Sequence, residues 1–182
     1  MSEPWGIAFS KDGSWAASDW SNHCVYLFNK SDKLLGKFRS RGMNKVQFDR
    51  PKGIAFDNDN HLYVADYTNH RVQKFTFNGT YLLQFGNGEL SDNQLKYPTS
   101  LSIHNNIAYV VDNGNKCLSV FQSDGTFLNT IRSDMLDSPH DWQLVVPTGY
   151  SFLMEITTVS TPLLWMATMW ASLVHMELVE VN

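Results

Sequence analysis

The chain has 182 residues, 43% of them hydrophobic, 13% aromatic and only 18% charged, which excludes intrinsic disorder and leaves room for one core. Its net charge of -4 excludes a generally basic nucleic-acid binder, though not a local basic patch. Two cysteines, Cys24 and Cys117, are too few for a disulfide framework and lack CxxC spacing, so a reducing, cytoplasmic setting is expected.

Read from its N-terminus, Met1 to Trp5 shows neither the basic start nor the apolar run of a secretion signal. The sequence then repeats itself. Pro4 to Phe9 (PWGIAF) returns as Pro51 to Phe56 (PKGIAF) after 47 residues, and more loosely as Pro98 to Ile103 after another 47. Asp19 to His23 (DWSNH) returns as Asp66 to His70 (DYTNH) and as Asp112 to Lys116 (DNGNK). Three copies in register decide the architecture before any single motif does.

Each copy reads as four short strands. In the second they are expected at Gly53–Phe56, Leu62–Ala65, Val72–Phe77 and Tyr81–Phe85, runs rich in β-branched and aromatic residues and bounded by Asn, Asp and Gly. Asn78-Gly79 and Asp124-Gly125 fall between third and fourth strands, where a hairpin needs positive φ. Pro51 opens a first strand, where a missing N–H costs little. Four-strand units of this period are blades of a β-propeller, so the fold class is all-β, a partial propeller over residues 1–134 with blades at about 4–50, 51–97 and 98–134.

The tail, 135–182, does not match. Ile156 to Val174 is nineteen residues without a charge, but Pro162 and six Ser or Thr residues interrupt it, and no membrane span is expected. A shift of one base gives another reading. The Asp141–Trp142 and Trp142–Gln143 junctions then encode Leu and Ala, Trp165–Met166–Ala167 encodes Asp-Gly, and Glu155 through Ser160 permits Asn-His-Arg-Val. From the forced Ala, the Asn lies 14 steps on and the Asp-Gly 23, as Asn69 and Asn78 do from Ala55. Residues 142–182 are therefore read as a frameshifted fourth blade.

The Pro-Lys-Gly-Ile-Ala opening, the strand ending in Asp66 and the run Asn69-His70-Arg71-Val72 resemble the NHL repeat, and the large animal group that carries such domains is the tripartite-motif NHL proteins. The resemblance covers residues 4 to about 134; blade one has Cys24 where blade two has Arg71, and blade three has Lys116 in place of the histidine. It implies a non-catalytic interaction module for a protein or RNA partner, in a parent that is a RING-type ubiquitin ligase. It also implies a ring of about six blades, so that further blades are needed to close it and the chain is expected to be an open arc of low stability.

Asp19, Asn22, His23, Asp66, Asn69, His70, Asp112 and Asn115 recur once per blade and are read as turn residues that cap backbone N–H groups, not as an acid/base or metal set. No cofactor, metal site or catalytic residue is expected. Lys37, Arg39, Arg41, Lys45, Arg50 and Lys52 place six of fourteen basic residues in sixteen positions, opposed only by Asp49. With Tyr67 and Arg71 they form the candidate partner-binding set, since cations beside an aromatic can hold phosphates and stack a base. The other class weighed is a propeller enzyme of the metal-dependent lyase type, which needs ligands converging from several blades; the first strands offer mainly small or apolar residues.

Overall fold

A computed structural model describes residues 1–87 and 94–132, Arg39 through its backbone alone, and the backbone of two short strands further on. Two compact units are present, Met1–His140 and Asp141–Asn182.

The first unit holds three four-stranded antiparallel sheets, each a simple meander. Blade one is β1 (Pro4–Phe9), β2 (Trp15–Asp19), β3 (Cys24–Phe28) and β4 (Leu34–Arg39). Blade two is β5 (Pro51–Phe56), β6 (Leu62–Asp66), β7 (Arg71–Phe75) and β8 (Tyr81–Phe85), and blade three is β9 (Pro98–His104), β10 (Ile107–Asp112), β11 (Cys117–Gln122) and β12 (Phe127–Ile131). In the second unit β13 (Trp142–Val145) pairs with β14 (Leu153–Ile156). The rest of the apolar stretch to Val174 lies outside the described residues, among which no helix is long and apolar enough to cross a membrane.

Four strand boundaries in blade two differ from expectation: β6 runs one residue further, to Asp66, β7 starts one earlier, at Arg71, and two differ by more. β5 begins at Pro51, which pairs with Asp66 across a bulge. β7 ends at Phe75, because Thr76 opens the turn: its N–H donates to Thr80 O at 2.9 Å and its carbonyl accepts from Gly79 N–H at 2.9 Å. Gly79 sits at φ +91°, a conformation open to glycine at no steric cost.

Strand alternation gives every blade two faces, and the cores form where faces of successive blades meet. Ala16, Val25, Leu27 and Phe48 pack with Ile54, Leu62, Val64 and Phe75. Tyr63, Ala65, Val72 and Phe85 pack with Leu101, Ala108, Val110 and Phe121. Ring contacts cross both junctions, Phe38–Phe75 at 5.1 Å and Phe85–Phe121 at 4.8 Å, and each fully buried Phe contributes about 1.5–3 kcal/mol. The first strands approach closely where glycine stands third: a Cβ on Gly53 would come within 2.6 Å of Ser100 Cα.

The meander also sorts the loops. Connections between blades and turns between second and third strands lie at one end of the sheets, here the connection-side face. The other turns lie at the opposite end.

Candidate functional site

On the connection-side face each blade ends its second strand in a buried aspartate. Asp19 accepts from Ser2 N (2.7 Å), Asn22 N (3.1 Å) and Asn22 Nδ2 (2.9 Å). Asp66 accepts from Asp49 N (2.8 Å) and Asn69 Nδ2 (2.9 Å), and Asp112 from Lys96 N (2.8 Å) and Asn115 Nδ2 (2.8 Å). Every aspartate thus ties its turn to the segment that enters its own blade. Burial raises the Asp66 and Asp112 carboxyls despite these bonds. At Asp19 burial also pushes upward, but the bonds from Asn22, Ser2 and Glu3 outweigh it and hold the group at about 2.

The histidines tie each turn to the next blade. His23 Nδ1 accepts the Arg50 N–H at 3.0 Å, and His70 Nδ1 accepts the Tyr97 N–H at 3.0 Å. His23, His70 and Lys116 share a left-handed backbone, at φ 51°, 55° and 53°.

Arg71, expected in the partner-binding set, belongs to the interior instead. It is 4% exposed. Its Nε donates to Asp66 (2.8 Å), Nη1 to Met43 O (2.8 Å) and Gln84 Oε1 (2.9 Å), and Nη2 to Asn44 O and Gln47 O (both 2.9 Å). A guanidinium has five N–H donors. All are committed, three to carbonyls of the 43–47 segment and two to Asp66 and Gln84, and none is left for a partner.

The basic residues divide. Lys37 Nζ donates to Tyr26 O–H at 2.7 Å and lies over that ring, while Lys45 Nζ is 5.2 Å from the Tyr81 ring. Arg41, with a side chain 66% exposed, reaches Asp49 at 3.6 Å. Arg50 covers the Trp20 ring at 4.7 Å, and Lys52 Nζ lies 4.2 Å from the Trp5 ring and 3.9 Å from Tyr67. Tyr67 continues to Tyr97 at 5.1 Å, and Tyr97 to His70 at 4.4 Å. Burial, then the charge of Arg50, lowers the Lys52 ammonium below its usual value.

Two ring–cation groups therefore stand on this face: Trp20–Arg50, and Trp5–Lys52–Tyr67–Tyr97, which reaches from blade one to the entrance of blade three. Trp5, Trp20 and Tyr97 were not in the sequence-derived set, yet the repeat register marks them: Trp5, Lys52 and Thr99 follow the opening proline, and Trp20 and Tyr67 follow the turn aspartate. Buried side-chain atoms without a hydrogen-bond partner, among the described residues, include Trp20 Nε1, Thr68 Oγ1 and Thr99 Oγ1, while Asp49 Oδ1 faces His23 Nδ1 at 3.0 Å. These three lie on this face, the usual mark of groups that meet water or a ligand.

At the opposite end, Asp57, Asp59 and His61 are the one group of three close metal-ligating side chains among the described residues. Asp57 is already engaged: it accepts from Asp59 N (2.9 Å), His61 N (2.8 Å) and Tyr63 O–H (3.1 Å), and Lys74 Nζ stands 3.4 Å away. The set fits a turn cap joined to a buried ion pair better than an open metal site.

Comparison with known proteins agrees on the fold. Residues 48–75 match the NHL repeat. No curated protein matches the chain. Among solved structures, a catalytically inactive virginiamycin B lyase from Staphylococcus aureus with Quinupristin aligns at TM-score 0.60 and 13% identity, covering 84% of this chain and 49% of that one. Kuenenia stuttgartiensis hydrazine synthase aligns at TM-score 0.59 and 18% identity, covering 74% and 37%. The chain thus spans less than half the length of these neighbours, and the likeness shows a β-propeller fold alone.

Proposed function

We propose that this chain is a non-catalytic interaction module whose connection-side face binds single-stranded RNA. The observation that carries the reading is the pair of groups Trp20–Arg50 and Trp5–Lys52–Tyr67–Tyr97, with Arg41 exposed beside them. Cations set against rings, of which Trp5 and Tyr97 are exposed, suit a chain of phosphates and unpaired bases, where stacking is worth about 1–3 kcal/mol per base. The resemblance to tripartite-motif NHL proteins supports a setting in which the module selects substrate or RNA for a RING-type ubiquitin ligase.

Oligonucleotide binding measured against salt tests this. Replacing Arg41 and Arg50 with Gln is expected to reduce the salt slope by about one per lost phosphate contact, and Trp5→Ala to weaken binding about 5- to 150-fold. Binding that ignores salt, or no binding to any single strand, sinks the RNA reading and leaves a protein partner.

The structural likeness to a lyase supports an enzymatic second reading. Metal analysis of the purified protein separates the two, since a stoichiometric divalent ion would revive the enzyme.

A further inference from the structure

We propose that the 41–47 loop is the base-reading element of the RNA site, built to hold an unpaired adenine. This rests on the RNA reading above and adds to it the part that discriminates sequence.

The loop is held in a conformation that its own sequence resists. The Gln47 N–H donates to Asn44 O at 3.1 Å, closing a turn whose third residue, Val46, stands at φ 67°. Gly or Asn ordinarily fills that place, and a β-branched residue there is a genuine outlier. Forty-seven residues on, the sequence has Asn93 instead, and Asp92 in place of Lys45. Valine is therefore peculiar to this connection and not a demand of the repeat.

Blade two supplies what keeps the turn closed. The Val46 N–H donates to Gln73 Oε1 at 3.1 Å, and Gln73 Nε2 donates to Gln47 O at 2.8 Å. Asn69 Nδ2 donates to Gly42 O at 2.8 Å, and Arg71 takes the carbonyls of Met43, Asn44 and Gln47. Backbone strain over-determined in this way is the mark of a ligand clamp.

With the backbone fixed, the side chains are what remains to meet a partner. Met43 is 78% exposed and Val46 36%. Between them Asn44 is exposed, and its side-chain amide makes no bond among the described residues, only its backbone N–H and carbonyl being engaged. A thioether packs well against an aromatic ring. An amide presents a donor beside an acceptor, which matches N7 and N6 of adenine, where guanine offers two acceptors and a pyrimidine a single group. Lys45, whose Nζ stands 5.2 Å from the Tyr81 ring, and the exposed Arg41 are placed to take the flanking phosphates. Asp49 joins the loop to the ring–cation groups: it meets Arg41 at 3.6 Å, and its carbonyl accepts from Thr68 N–H, beside Tyr67, at 3.1 Å.

The test measures binding of the whole chain to U-tracts of about ten nucleotides with A, G, C or U at the centre. The adenine probe is expected to bind about 5-fold or more tightly than the others. Asn44→Ala is expected to bring all four within about 2-fold and to leave the salt slope unchanged, because a base contact neutralises no phosphate. Met43→Ala is expected to weaken the adenine probe about 2- to 12-fold. Val46→Asn, which copies the next connection, separates recognition from folding. Its Tm is expected to rise by about 2 °C or more as strain is released, while adenine binding weakens about 2-fold or more. Equal binding of the four probes, or an adenine preference that survives Asn44→Ala, overturns this inference and leaves the RNA reading standing. So does a Val46→Asn protein that gains no Tm or loses no affinity. Failure of every probe to bind removes both.

Discussion

His70 in the second blade accepts the backbone N–H of Tyr97 at the entrance to the third, at 3.0 Å, and the two rings meet edge to face at 4.4 Å. The bond needs an unprotonated Nδ1. Burial holds His70 below its ordinary 6.5, with Asp112 pulling upward and Lys96 downward. The unfolded chain therefore takes the proton first, and stability is lost as pH falls through about 6.5. A melt series from pH 7.5 to 5.5 is expected to show Tm falling in the native chain and falling less in His70→Asn, which keeps a side chain tolerant of the left-handed backbone.

Arg71→Met leaves the Asp66 carboxylate buried beside carbonyls that have lost their donor. Breaking a buried pair in this way costs about 3–5 kcal/mol. Urea unfolding is expected to show a midpoint well below that of the native chain. A shift of under about 1 kcal/mol, the range of a surface pair, would contradict the burial of this guanidinium.

Asp19 is held at about 2 against an ordinary 3.8, so its bonds to the N-terminal segment contribute stability that is present above 3.8 and lost as pH falls toward 2. Asp66 and Asp112, raised above 3.8, run the other way, since the folded chain keeps their protons longer. Asp19→Asn is expected to flatten the acid limb of stability below pH 4, and unfolding followed between pH 5 and 2 checks it.

If residues 142–182 are a fourth blade read out of frame, the transcript carries an insertion or deletion near the Asp141 codon. Sequencing across that codon should find it. The restored frame is expected to place an Asn-His turn and an Asp-Gly hairpin at the spacings of blade two, and an uninterrupted frame defeats the idea.

The three-blade architecture was legible because a spacing of 47 residues, 46 between the second and third turn aspartates, carries strand, turn and proline together. The hairpin at Asn78-Gly79 was legible because Gly79 supplies the positive φ that its turn needs. Arg71 was not. The strand pattern places it at a turn on the connection side, but whether its guanidinium meets solvent depends on residues 42–47 folding back over it, and no local pattern encodes that return. Trp5, Trp20 and Tyr97 are not legible from local pattern, because each looks like an ordinary surface aromatic until the three blades are superposed. Residues 135–182 lie almost wholly outside the described part, so the frameshift reading stands apart from the fold.

The double fastening of the turn in blades one and two has a mechanical consequence. Through Asp66 the second blade's turn grips the segment entering at Asp49, and through His70 it grips the next at Tyr97. A pull on either connection is therefore shared with its neighbour, as load passes between rivets along a seam. Blade three carries Lys116 where the histidine rivet of the first two blades sits, so the seam changes character at that turn.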